Sequence, residues 1–339
     1  MFKIGKIPSE MLEMIVMDPI RNKGVKRTDI LVRPKTGEDC SVVDLQGELC
    51  VLSTDPITGT ENDIGYLAVQ VNCNDIYSAG AEPIGILLTI LLPEGSEEYV
   101  LNEIMQGALK GADELGIEIL GGHTEVTDAV CKPIVSVTVI GKTQKRQLIQ
   151  TGGAKVGQDV VMTKWAGLEG TAIIAKEHEA VLANKIPLEV IQAAQEMKDF
   201  LSVEKESKIA FKHGATAMHD ATEGGILGAV WEVASCSEIG VEIWEDHIPL
   251  KAETKIICEN ANIDPLRLIS SGTMIITTDD GEGLVKELLE NGIEAAIIGK
   301  MTPKERIVVT VSEGISGKTQ EKRLLDEPKS DELYQVKFL

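Results

Sequence analysis

The run Ile84–Leu92 (IGILLTILL) restricts the fold of this chain more than any other stretch, because both of its alternating faces are apolar. A strand with one wet face alternates apolar and polar residues, so this one is expected to be covered on both sides, inside a barrel or under a partner subunit. It is the longest apolar stretch of the sequence and too short to cross a bilayer. Its neighbours switch period. Before it, Ile64, Leu67, Ala68, Val71 and Ile76 fall near helical spacing over residues 63–79, with Asp63 placed to cap. After it, residues 96–115 read as a helix opened by Ser96 and closed by Gly116. Residues 49–55, 117–120 and 130–140 read as strands, the last two separated by a Gly121–Glu125 turn.

Polar and basic residues and glycines over 143–157 interrupt the apolar pattern and mark a boundary, giving domains 1–150 and 151–339. The second half alternates again: strand 159–163, helices through 167–212, strand 215–219, helix 224–236, strand 272–278, helix 282–291 and strands 294–298 and 306–311. Both halves are therefore expected to be α/β or α+β. The Lys-, Glu- and Asp-rich tail after Gly314 reads as a solvated extension.

Short acidic or glycine motifs recur where apolar stretches end: Gly37-Glu38-Asp39, Ser53-Thr54-Asp55, Asn74-Asp75, Gly121-Gly122-His123-Thr124-Glu125 and His219-Asp220-Ala221-Thr222-Glu223-Gly224-Gly225. Hard oxygen ligands beside glycine turns suit a magnesium–nucleotide site. Taken singly, each has a plainer reading. Asp39 fits a turn after Gly37, Asp75 a cap or salt-bridge partner, and Gly121-Gly122 an ordinary β-turn. His123 is balanced between a turn histidine and a metal or phosphate contact. Two features shift the balance. Asp75 lies in an otherwise apolar helix, where a carboxylate is costly to bury without a partner or a metal. Thr222 fits an N-cap, and two glycines in the following first turn, each costing about 1 kcal/mol relative to Ala, would expose helix N–H groups to an anion.

The net charge of −21 argues against a nucleic-acid partner. No G-x-x-x-x-G-K-[ST] is present, which excludes a P-loop. Cys40, Cys50, Cys73, Cys131, Cys236 and Cys258 show no C-x-x-C pair or zinc spacing and read as small buried residues of a reducing compartment. Lys3, Lys6, Glu10 and Glu13 interrupt the N-terminal apolar residues, unlike a signal peptide. A cytoplasmic protein without membrane attachment is expected.

Read together, GEDCSVV (37–43), STDPITGT (53–60), NDIYSAGAEP (74–83), GGHTEV (121–126), HDATEGGI (219–226) and SSGTMII (270–276) resemble the superfamily of aminoimidazole ribonucleotide (AIR) synthetase, the hydrogenase-maturation protein HypE, selenide water dikinase and thiamine-monophosphate kinase. The resemblance covers roughly residues 1–311 and looks nearest to the HypE-like branch. It implies two α/β domains, a C-terminal mixed sheet, and an N-terminal sheet that closes a barrel across a homodimer. It also implies ATP between the domains and Mg2+ on Asp39, Asp55, Asp75 and Asp220. Gly121, Gly122 and Thr124 match the phosphate-contacting turn, and Thr54, Asn74, Thr222, Gly224 and Gly225 are further nucleotide-contact candidates. Asp75, Asp220 and His123 are the candidate catalytic residues. The departures are that no cysteine follows Cys258, where the HypE branch carries a C-terminal carbamoyl acceptor, and none precedes Cys40, where selenide water dikinase has its reactive residue. The expected activity is phosphorylation or activation of an acceptor oxygen on a small molecule or a protein-borne group. Alternatives are a small-molecule kinase and a catalytically degenerate nucleotide sensor or scaffold.

Overall fold

The chain opens with short helices α1 (Ser9–Leu12) and α2 (Asp18–Lys23), joined by a π-helical turn, Glu13–Met17. The computed structural model describes residues 6–23, 27–314 and 317–338, and the chain divides into two compact units. One comprises Val25–Arg33 and Asp39–Leu148; the other comprises Met1–Gly24, Pro34–Glu38 and Ile149–Leu339.

In the first unit, β1 (Ile30–Val32), β2 (Ser41–Asp44), β3 (Leu49–Ile57), β4 (Glu82–Pro93), β5 (Glu118–Thr127) and β6 (Ile134–Thr143) form one sheet, ordered β1-β2-β3-β6-β4-β5. Helix α3 (Ile64–Ser78) links β3 to β4, and α4 (Glu98–Leu115) links β4 to β5. Neighbours are antiparallel except β4 and β5, whose parallel pairing follows from the helical crossover between them. Every residue of α3 is buried. Gly116 ends α4 in the left-handed region, φ 66°, as its position predicts. Ser96 does not cap that helix. Its hydroxyl closes the preceding turn onto Pro93 O, and Glu97 takes the N-cap position.

Strand β4 departs from the expectation of two covered faces. Ile86, Leu88, Ile90 and Leu92 are buried, whereas Ile84 and Leu87 on the opposite face are about two-fifths exposed, at 43% and 41%. The apolar outer face is real, and within one chain nothing covers it among the described residues.

In the second unit, β7 (Asp159–Thr163), α5 (Leu168–Glu177), α6 (Glu179–Leu182), α7 (Leu188–Glu196), α8 (Glu204–Lys212), β8 (Ala217–Asp220), α9 (Gly225–Cys236), β9 (Gly240–Trp244), α10 (Ala252–Ala261), β10 (Met274–Thr278), α11 (Gly281–Glu290), β11 (Ala295–Thr302), β12 (Arg306–Gly314) and β13 (Gly317–Leu324) follow in order. Their sheet runs β13-β12-β9-β11-β7-β10-β8, mixed because β12 lies parallel to β9. The tail after Gly314 is not a loose extension. β13 pairs with β12 along its length, Leu325 is buried, and Asp331 is 1% exposed. β13 is an edge strand whose side chains are exposed over Gln320–Leu324 while its backbone completes a sheet; Ile315 and Ser316 lie outside the described residues.

A buried cation ties this unit together. Lys164, just past β7, donates from Nζ to Phe200 O (2.8 Å), Ser202 O (2.7 Å) and Gly272 O (2.7 Å), and pairs with Glu206 Oε1 at 2.6 Å. Burial lowers its pKa, and Glu206 opposes that effect. Lys164→Met leaves Glu206 buried without a counter-charge and should cost about 3–5 kcal/mol in urea unfolding. Glu206→Gln added to it should recover part of that loss; equal stability of Lys164→Met and wild type would refute the assignment.

Candidate functional site

Three of the four candidate metal aspartates belong to the first unit, and α3 draws them to one end of its sheet. Asp75, 5% exposed, accepts the Ser53 hydroxyl at 2.5 Å on Oδ2. Two residues along β3, the Asp55 N–H donates to Asn72 Oδ1 at 2.8 Å, and Asn72 Nδ2 is itself held by Ala68 O at 2.8 Å. Asp39 arrives through its neighbour, since Cys40 Sγ contacts Asp75 O at 3.3 Å. Asp39 and Asp55 are exposed, while Asn74 is fully buried. Polar groups in a helix buried on every side are costly to leave unmatched, and these contacts are how Asn72 and Asp75 are matched. Among the sequence candidates, Ser53 figures only as the first residue of the Ser53-Thr54-Asp55 motif, and Asn72 not at all. Their signal was a hydroxyl two residues before Asp55 and an amide three before Asp75, on the same faces. Within this unit, among the described residues, no three carboxylate, imidazole or thiol ligand atoms lie within 4.8 Å of one another.

The sheet's pleat separates the remaining candidates. Ser53 and Asp55 share the helix-covered face, whereas Thr54 points the other way and pairs with Thr138 Oγ1 at 2.9 Å. The Gly121–Glu125 segment is not a turn but the middle of edge strand β5. Gly122 and Thr124 stand opposite Leu88 and Ile90 on the helix-covered side; Gly121, His123 and Glu125 stand opposite Leu87, Thr89 and Leu91 on the outer side. His123 pairs there with Glu125 at 3.1 Å, both side chains well exposed. Gly122 has a reason unrelated to phosphate: at φ 150° a Cβ would lie 1.8 Å from Leu88 O. β5 is three strand positions from β3, about 14 Å. The first unit thus gathers Asp39, Asp55, Asn74 and Asp75, and places Thr54 and His123 on the opposite face.

In the second unit, His219 and Asp220 end β8, 2% and 0% exposed. His219 Nε2 lies 3.0 Å from Glu232 Oε2 on α9, and Lys6 Nζ reaches Glu232 Oε1 at 2.9 Å. Burial alone would raise the Glu232 pKa, but Lys6 and His219 outweigh it and hold the carboxyl at about 2. Thr222 is not the N-cap of α9. Gly224 takes that position at φ 90°, and its N–H is bonded to Asp331 Oδ2 at 2.7 Å, so the amide expected to meet an outside anion already meets one.

Two buried carboxyls escaped sequence reading. Burial raises Glu169, in the first turn of α5, to about 7; Ser271 opposes this while Asp331, Glu223 and Asp220 add to it. Asp331 is raised to about 6, again chiefly by burial. In both, burial within the folded unit is the largest cause of the upward shift.

The cysteines are mostly as expected: Cys40, Cys73, Cys236 and Cys258 are buried, but Cys131 is exposed. Burial, then Asp75, pushes the Cys73 thiol well above its usual range, and burial, then Asp264, raises Cys258 to about 12. Neither is a thiolate at neutral pH.

Among known families, the AIR synthase related protein N-terminal domain matches residues 37–143 and the corresponding C-terminal domain matches residues 155–312. The chain belongs to this family. It is 27% identical, over 98% of its length and 97% of the relative's, to a Methanocaldococcus jannaschii protein whose name assigns it to hydrogenase expression and formation. It is 25% identical to the selenide, water dikinase of Clostridioides difficile (91% and 94% covered) and 26% identical to the carbamoyl dehydratase HypE of Rhizobium leguminosarum (84% and 82%). Its fold is shared with HypE in the crystal structure of a HypE–HypF complex, at TM-score 0.74 and 22% identity over 93% and 100% of the two chains. It is also shared with AaThiL complexed with AMPPCP and TMP, at TM-score 0.70 and 20% identity over 90% and 96%. No helix of the described residues is long and apolar enough to cross a membrane.

Because the Glu232 pKa is depressed on folding, its contribution is full above about pH 4.5 and is lost as pH falls towards 2. Glu232→Gln should therefore cost on the order of 3 kcal/mol at pH 7. The gap from wild type should narrow below pH 4. A pH-independent difference in urea unfolding would contradict the pairing.

Proposed function

We propose that this chain is a magnesium-dependent enzyme that uses ATP to phosphorylate or activate an acceptor oxygen. The carrying observation is the gathering of Asp39, Asp55 and Asp75 at one end of the first unit, with Asp75 buried and oriented by Ser53. The donor set suits Mg2+, which is held by one or two carboxylates and completes its octahedron with phosphate oxygens and water. Bound there, Mg2+ would neutralise charge on the transferring phosphate.

The residues' own work is positioning. Ser53 fixes the Asp75 carboxylate, Asn72 fixes the backbone at Asp55, and the sheet holds both on one face. Phosphoryl transfer asks for little more than placement and charge neutralisation. Asp220 is the candidate ligand of the second unit. Thr54 and His123, on the outer face, are left out of this chemistry. Support from relatives is general: selenide, water dikinase and carbamoyl dehydratase are names for different acceptors on one scaffold. The acceptor here is a small molecule or a protein-borne group.

The decisive experiment is ADP release from purified protein with Mg–ATP across a library of metabolites and carrier proteins. Asp75→Asn keeps an oxygen for the Ser53 hydroxyl, so it should fold and yet lose magnesium-dependent AMPPCP binding at least tenfold by calorimetry. Unchanged affinity would remove Asp75 from the metal site.

We further propose that the outer face of β4 and β5, with Ile84, Leu87 and Leu120 exposed, is covered by a second copy of the chain. Light scattering at micromolar concentration should give a dimer, and Leu87→Glu should give a monomer; a monomeric wild type would end this reading.

A further inference from the structure

The glycine motif ahead of α9 is occupied from within the chain. Beyond β13, residues 325–338 return across the second unit. Leu333, Val336 and Phe338 pack against a core containing Ile174, Leu182 and Ile257, and the Lys337 N–H bonds to Ala261 O at 3.2 Å. Midway, the buried Asp331 uses both carboxylate oxygens. Oδ2 accepts the Gly224 N–H at 2.7 Å; Oδ1 accepts Ile269 N–H at 3.2 Å and Leu333 N–H at 2.8 Å. Tyr334 adds a hydroxyl bond to Glu223 Oε1 at 2.8 Å, and Glu332 Oε2 accepts the Asp264 N–H at 3.1 Å. The seat is shaped for this segment: a Cβ on Gly224 would lie 2.8 Å from Pro328 Cβ.

Covering apolar surface does not require a buried carboxylate, and burying one is costly. What Asp331 gains is a grip on two loops at once. Gly224 follows Asp220 by four residues, and Ile269 precedes the Ser270–Thr273 turn into β10. Those loops flank one ladder, in which Asp220 stands opposite Met274 and Ala221 N–H bonds to Thr273 O at 2.8 Å. We propose that residues 325–338 act as a strap and that Asp331 is a positioning residue which, by joining the Gly224 and Ile269 amides, sets the conformation of the His219–Gly225 loop carrying Asp220. Its catalytic meaning rests on the reading of Asp220 given above; the latch itself stands apart from it.

Hydrogen exchange on the full chain without nucleotide separates the two. In Asp331→Ala the Gly224, Ile269 and Ala221 amides should exchange at least tenfold faster than in wild type, while the α4 amides of the other unit hold. Asp331→Asn offers one acceptor oxygen, so it should protect one of the Gly224 and Ile269 amides and release the other, and it decides the matter should the Ala variant not fold. Wild-type protection in Asp331→Ala, or both amides kept or both lost in Asp331→Asn, overturns the proposal. Calorimetry with Mg–AMPPCP on the same samples reads the other question: a wild type that binds none refutes the nucleotide reading, while the exchange rates still judge the latch.

Discussion

The first unit is organised by the complete burial of α3. A helix dry on all sides is normally all apolar, yet this one carries Gln70, Asn72, Asn74, Asp75 and Ser78. They lie in a region where an unmatched polar atom costs roughly 1–3 kcal/mol, and Gln70 Oε1 is the one side-chain atom of the helix found buried without a hydrogen-bond partner among the described residues. That cost dictates much of the surroundings. Ser53 and the Asp55 amide on β3 answer Asp75 and Asn72, and Glu114 on α4 answers Gln70 and Tyr66. The acidic end of the sheet is thus a by-product of satisfying one helix. Its geometry is held by the core, not by flexible loops.

The second unit meets the same constraint with charge. Lys164 with Glu206 is an ion pair taken out of water, and the buried Glu232 is matched by the buried His219 imidazole and by Lys6, which reaches it from the surface. Neither arrangement is a gain over apolar packing in itself. Both make the local conformation hard to exchange for another, and both join segments far apart in sequence.

How much of this the sequence disclosed depends on the range of the interaction. The helices over 64–78, 98–115 and 225–236 and most of the strands were legible because their periodicity is local. Asp39 and Asp55 drew notice because they adjoin apolar strands, and Asp75 because it lies inside an apolar helix; the sequence carries no sign of the Cys40, Ser53 and Asn72 contacts that link them. The errors share a cause. Gly121-Gly122 reads as a turn until β4 is seen to need the space at Gly122, and Thr222 reads as a cap until Asp331, more than a hundred residues later, takes the Gly224 amide. The tail reads as solvated because an edge strand looks polar from its side chains. Glu169 and Asp331 carry no local mark at all, since burial, the largest cause of their shifts, is set by the tertiary fold.

The crossing of the chain between its two units bears on how it is made. Residues 6–23 and 34–38 are made long before the groups they serve: Lys6 meets Glu232, and Lys35 donates to Cys236 O at 2.8 Å. The segment between them, and then Asp39–Leu148, belong to the unit that can finish earlier. During synthesis at roughly 5–20 residues per second, the N-terminal strand of chain must therefore wait unsatisfied for ten seconds or more before α9 emerges. A fragment beginning after residue 148 would bury Glu232 without its lysine. Modularity in this protein is a property of the folded state and not of the gene's linear order.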